Sequence, residues 1–92
     1  MAKIARRFLI QGEVQGVGYR FFAQRAAARH QVLGQVRNCP DGTVEVVAEG
    51  LAQDVEEFKK DLVTGPQWSR VAQVEETVIE PSGLYASFRI ER

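Results

Sequence analysis

The tripeptide Pro40-Asp41-Gly42 constrains this chain most, because it stands between two runs that alternate apolar and polar residues. Proline fixes φ, and Asp-Gly accepts the positive φ of a tight reversal. Leu33 to Cys39 and Thr43 to Glu49 therefore read as the two strands of a hairpin. In the second run Val44, Val46 and Ala48 oppose Thr43, Glu45 and Glu49. In the first, Gly34, Val36 and Asn38 share one face while Gln35, Arg37 and Cys39 share the other. If Val36 is buried, Asn38 ends that buried row with an amide, and a buried amide requires partners. It is either an ordinary strand-end residue satisfied by turn backbone or an amide aimed at a ligand or water.

The other segments read in the same way. Ile4 to Val14 alternates, apart from Arg6 and Leu9, as a strand does. A helix begins near Arg20 and runs over residues 20–31, with Phe22, Ala26 and Ala27 able to share a face. Leu51, Val55, Phe58 and Leu62 recur at helical spacing, and Gly65-Pro66 stops that helix. Its acids Asp54, Glu56 and Glu57 lie toward the start and Lys59 and Lys60 further on, as the helix dipole favours. Arg70 to Ile79 is a strand whose Val71/Val74 spacing implies a bulge. After the turn Pro81-Ser82-Gly83, the residues Leu84, Ala86, Phe88 and Ile90 mark a last strand. The order is β-α-β-β-α-β plus a C-terminal strand: an α+β split βαβ sandwich, with two helices on one face of an antiparallel sheet. Residues 1–92 are expected to form a single domain.

Charge is balanced overall but polarised along the chain. Residues 1–37 hold seven Lys/Arg and one acid, whereas residues 38–92 hold five Lys/Arg and eleven acids. Opposite charges can pair across the fold, or the first half can carry a local positive field around an anion site. Zero net charge weighs against a nucleic-acid partner. There is no apolar run near the roughly 18 residues of a membrane span. The one cysteine, Cys39, cannot close an internal disulfide, which suggests a cytoplasmic protein. A monomer is the default expectation.

Between the first strand and the first helix lies Gly12-Glu13-Val14-Gln15-Gly16-Val17-Gly18-Tyr19-Arg20. Glycines let backbone N–H groups turn toward a ligand, and a helix N-terminus is an anion cradle. Arg20 adds a planar, permanently charged fork suited to phosphate. Alone, the stretch is equally a tight connection and Arg20 equally a surface arginine. The nucleotide-binding patterns fail: no Lys-Ser/Thr follows, and Phe21 stands where a third glycine belongs. Other candidates carry little. His30 reads as a surface or capping residue, Trp68 as a packing lid over a helix end, and the acids of the second helix as a solvated face. No His/Cys/Asp/Glu spacing suggests a metal, and Cys39 lacks a neighbouring histidine.

Gly12 to Arg20, together with Gly34-Gln35-Val36-Arg37-Asn38-Cys39-Pro40-Asp41-Gly42-Thr43-Val44-Glu45, resembles the signature of the acylphosphatase family. Gly65-Pro66 and Phe88-Arg89-Ile90 fit the same pattern, so the similarity spans nearly the whole chain. The resemblance implies a ferredoxin-like fold and hydrolysis of the carboxyl-phosphate bond of small acylphosphates to carboxylate and inorganic phosphate, with no metal or other cofactor. By similarity, the loop Gln15, Gly16, Val17, Gly18, Tyr19 and Arg20 cradles the phosphoryl group. Arg20 binds it, and Asn38 positions the attacking water. Three positions depart from the pattern. Gln35 stands where an aromatic residue is common, Gln31 where a glycine ends the first helix, and Tyr19 replaces a more usual phenylalanine. The first two bear on packing and local stability more than on catalysis. The alternatives are a non-catalytic anion-binding module on the same fold and, less favoured by charge, an RNA-binding domain.

Overall fold

The computed structural model describes residues 2–92. The elements are β1 (Lys3–Glu13), α1 (Tyr19–Arg29), β2 (Leu33–Asn38), β3 (Val44–Leu51), α2 (Ala52–Thr64), β4 (Arg70–Ile79) and β5 (Phe88–Glu91). They form one sheet in the order β4-β1-β3-β2-β5. The alternation on β1, β2 and β3 sends Phe8, Ile10, Val36, Val44, Val46 and Ala48 to one side. There they meet Ala23, Ala26 and Ala27 of α1 and Val55, Phe58 and Leu62 of α2 in a single core. Helix α1 starts one residue earlier than its sequence suggests, and its buried stripe starts at Tyr19, three residues before Phe22. Tyr19, Ala23, Ala26 and Ala27 are buried at helical spacing, while Phe22 sits half-buried beside Tyr19.

The hairpin register pairs Val36 with Val46 and Asn38 with Val44, as the Pro-Asp-Gly turn requires. The bulge lies where the Val71/Val74 spacing puts it: Gln11 pairs with Gln73 and Gly12 with Val71.

Four expectations change. The last strand is only Phe88–Glu91, because residues 80–87 cross from β4 on one edge of the sheet to β5 on the other. Glu49 of the central strand holds that crossing, accepting hydrogen bonds from Ser82 N (2.8 Å), Ser82 Oγ (2.7 Å) and Gly83 N (3.1 Å). Because the chain arrives from the far edge, β5 pairs parallel with β2, and the sheet is mixed where an antiparallel one was expected. Phe88 locks β5 down, its ring 5.6 Å edge-on from Phe58. Trp68 covers nothing; it is 78% exposed. The last turn of α2, Asp61 to Thr64, carries no basic residue, and Lys59 before it pairs with Glu76 at 2.5 Å.

Much of the charge asymmetry resolves into pairs between the two halves of the chain. Arg6 meets Glu76, Arg29 and His30 meet Asp61, and Arg7 and Arg37 both meet Glu45 at 2.5 and 2.7 Å. Burial would raise the Glu45 carboxyl, but hydrogen bonds from Arg37 and Arg7 outweigh it and hold the group below its ordinary 4.5. Glu49 is likewise held below 4.5, its burial outweighed by the Ser82 and Gly83 donors. A carboxyl depressed by folding stabilises the protein above its unfolded value and loses that contribution as pH falls through the folded one. The melting temperature is therefore expected to drop below about pH 4.5, and Glu45→Gln to flatten that drop. A melting series from pH 6 to 3 that shows the same slope in both proteins would contradict this.

The end of α1 explains one departure from the family pattern. Val32 N donates to Ala27 O at 2.9 Å and Gln31 N to Ala28 O at 3.4 Å, so Gln31 takes the left-handed position of a Schellman cap. Its φ is +56°, the one positive value at a non-glycine residue among those described. A side chain there costs roughly 1–2 kcal/mol. Gln31→Gly is expected to raise stability by about 1 kcal/mol after its own entropy loss, read as a higher urea midpoint at unchanged slope.

Candidate active site

The loop leaving β1 enters α1 through Gly16 and Gly18, with φ of +75° and +78°, and no neighbouring atom lies where a Cβ would stand. These glycines serve backbone conformation, not close packing. Gly18 caps α1 in a left-handed conformation, and no side chain caps the first-turn N–H groups. Those donors, together with the dipole, face the loop end of the helix.

Tyr19 anchors this helix start. Its ring is 1% exposed and its hydroxyl donates to Leu62 O of α2 at 2.6 Å. Burial pushes its phenol well above the ordinary 10.0, so it stays neutral and structural. The next residue, Arg20, is half-buried and points the other way. Its Nη1 donates to Glu91 O of β5 at 3.3 Å, and none of the ion pairs among the described residues engages it.

Asn38, at the end of β2, comes to the same place. A cavity of about 120 Å³ is lined by Val14, Gly16, Gly18, Tyr19, Arg20, Phe21 and Asn38. Arg20, Phe21 and Asn38 also line an adjoining open groove with Ile90 and Arg92. The hairpin reading of the Val36 row thus places Asn38 opposite the glycine loop. Gln15 and Val17 belong to the loop, but their side chains are absent from the cavity wall. Phe21, Ile90 and Arg92, all in the groove, were not among the candidate site residues of the sequence.

Elsewhere the candidates behave as structure. His30 ends α1 and its Nε2 lies 2.8 Å from Asp61 Oδ2. No group of three or more His, Cys, Asp or Glu is assembled among the described residues. Among the described residues no helix is long and apolar enough to cross a membrane.

The chain is a small α+β sandwich in which a glycine-rich helix start, with Arg20 in its first turn, shares a cavity with the amide of Asn38. The sequence model of the acylphosphatase family matches residues 6–90, and the chain belongs to that family. It is 48% identical over 86 residues to an acylphosphatase of Solibacter usitatus, covering 94% of this chain and 88% of that one. It is 43% identical over 88 residues to one of Petrotoga mobilis, covering 96% and 98%. The crystal structure of acylphosphatase from Bacillus subtilis superimposes with a TM-score of 0.93 at 31% identity, over 97% of this chain and 99% of that one. The fold is ferredoxin-like, and the protein is a hydrolase acting on acid anhydrides.

Proposed function

We propose that this protein hydrolyses small acylphosphates without a metal, and that Arg20, Asn38 and the loop Gln15–Arg20 perform the reaction. The observation that carries the reading is that Arg20 and Asn38, from segments 18 residues apart in sequence, line one cavity with Gly16 and Gly18. The phosphoryl group sits on the backbone N–H groups at the start of α1, with the Arg20 fork on its equatorial oxygens. Asn38 accepts a hydrogen bond from a water through its amide oxygen and aims the water's lone pair at phosphorus. The new O–P bond forms as the bond between phosphorus and the bridging acyl oxygen breaks, and the carboxylate leaves with the bonding pair. The water's proton passes to a phosphoryl oxygen, giving inorganic phosphate. The leaving carboxylate is stable, so no strong acid is needed, and phosphoryl transfer asks mainly for positioning and charge stabilisation. A neutral amide suffices for the positioning.

The same reading includes a cytoplasmic, monomeric protein, in keeping with the unpaired Cys39. The test is release of phosphate from acetyl phosphate in the presence of EDTA. Turnover undiminished by the chelator is expected. No acceleration over spontaneous hydrolysis would end the enzymatic reading, and loss restored by added divalent cation would end its metal-free form.

A further inference from the structure

The side chain of Gln15 does not face the phosphate cavity. Its Nε2 donates to two backbone carbonyls of the β2–β3 turn, Cys39 O at 2.8 Å and Thr43 O at 2.9 Å. These two carbonyls are the neck of the turn. Cys39 N donates to Thr43 O at 2.8 Å, and Gly42 N donates to Cys39 O at 3.1 Å. The far end of the turn is closed separately by Asp41 Oδ1, which accepts from Thr43 N and Thr43 Oγ1 at 3.0 and 2.7 Å. One amide group thus ties the glycine loop to the neck of the turn, immediately beside Asn38.

We infer that Gln15 is a positioning residue, which holds Asn38 at a fixed offset from the phosphate cradle. The inference rests on the role given above to Asn38. β1 and β2 do not pair directly, since β3 lies between them. The loop after β1 and the turn after β2 are therefore set beside one another by the sheet only through a third strand. The Gln15 amide closes that gap with two donors, the number a primary amide has. In-line attack tolerates little error, and a displacement of about 1 Å costs on the order of 100-fold in rate. The geometry assigns the side chain to orientation of the water, and leaves phosphate affinity to the backbone and Arg20.

The experiment is steady-state kinetics on acetyl phosphate, with inorganic phosphate as competitive inhibitor, for Gln15→Ala, Asn38→Ala and the double variant. Gln15→Ala is expected to lower kcat by about 10–100-fold with phosphate inhibition changed by less than about twofold, and to have no further effect in the Asn38→Ala background. A kcat near wild type overturns the inference. So does phosphate affinity falling in step with kcat, or the same fold-loss in both backgrounds. Gln15→Glu covers the case of a misfolded alanine variant. Its carboxylate cannot donate at pH 7, whereas its protonated form donates once. The deficit should therefore shrink as pH falls toward the carboxyl range near about 4.3, and a constant deficit overturns the inference. An Asn38→Ala protein of full activity would instead remove the parent reading. A crippled Asn38→Ala beside a silent Gln15→Ala removes only the role of Gln15.

Discussion

Arg20→Lys is expected to lower kcat/KM for acetyl phosphate by on the order of 10²–10³-fold, with weaker inhibition by inorganic phosphate and an unchanged fold. Lysine retains the charge and loses the fork. Arginine presents five N–H groups in one plane, and among the described residues only Nη1 is engaged, by Glu91 O at 3.3 Å. The remaining donors are available to two phosphoryl oxygens at once. An ammonium is a point charge on a differently shaped stem, and it cannot bridge them. Because no carboxylate holds Arg20, its removal leaves no orphaned acid behind, and the thermal midpoint should move little. Phosphate release within a few-fold of wild type would show that charge alone suffices and that the bidentate geometry is unnecessary.

Asn38→Ala is expected to separate binding from chemistry. Turnover should fall by on the order of 10²-fold or more, while inorganic phosphate still competes at close to its original concentration. Asn38 reaches the cavity from the end of β2, whereas Arg20 and the helix N-terminus reach it from α1, and in the proposed reaction its amide holds only the water. Asn38 is half-buried at a strand end, so the truncation removes an amide without opening a core cavity. An equal loss of phosphate affinity would mean that the amide builds the pocket wall and does not place the nucleophile.

How much of this was legible in the sequence depended on how local the signal was. The hairpin, its register and the burial of Val36 followed from alternation around Pro40-Asp41-Gly42, and the bulge from the spacing of Val71 and Val74. These are properties of neighbours along one strand. Leu84 and Ala86 alternate just as well, yet they lie in the crossing segment. Periodicity records which way a side chain would face and is blind to strand order, so it could not show that this stretch must span the sheet. The two sequence blocks identified the loop and Asn38 as partners. What Gln15 does there was hidden, because its partners are backbone carbonyls 24 and 28 residues away, and every residue has a carbonyl. Gln31 was the reverse case: its departure from glycine was visible, and the left-handed cap explains why glycine belongs there.

The hold of Glu49 on the chain between β4 and β5 also makes one part of the molecule tolerant and another intolerant. Closing a flexible loop costs entropy that grows only with the logarithm of its length, about 0.6 kcal/mol for each doubling. Insertions among residues 83–87 would therefore be cheap so long as Ser82 and Gly83 still reach the Glu49 carboxylate. Loss of that carboxylate would leave the crossing held only near its far end, where Ser87 O accepts from Gly34 N at 3.1 Å, and β5 would have to find its edge at the end of a longer tether. In this fold the length of the crossing is open to drift, and its attachment to Glu49 is not.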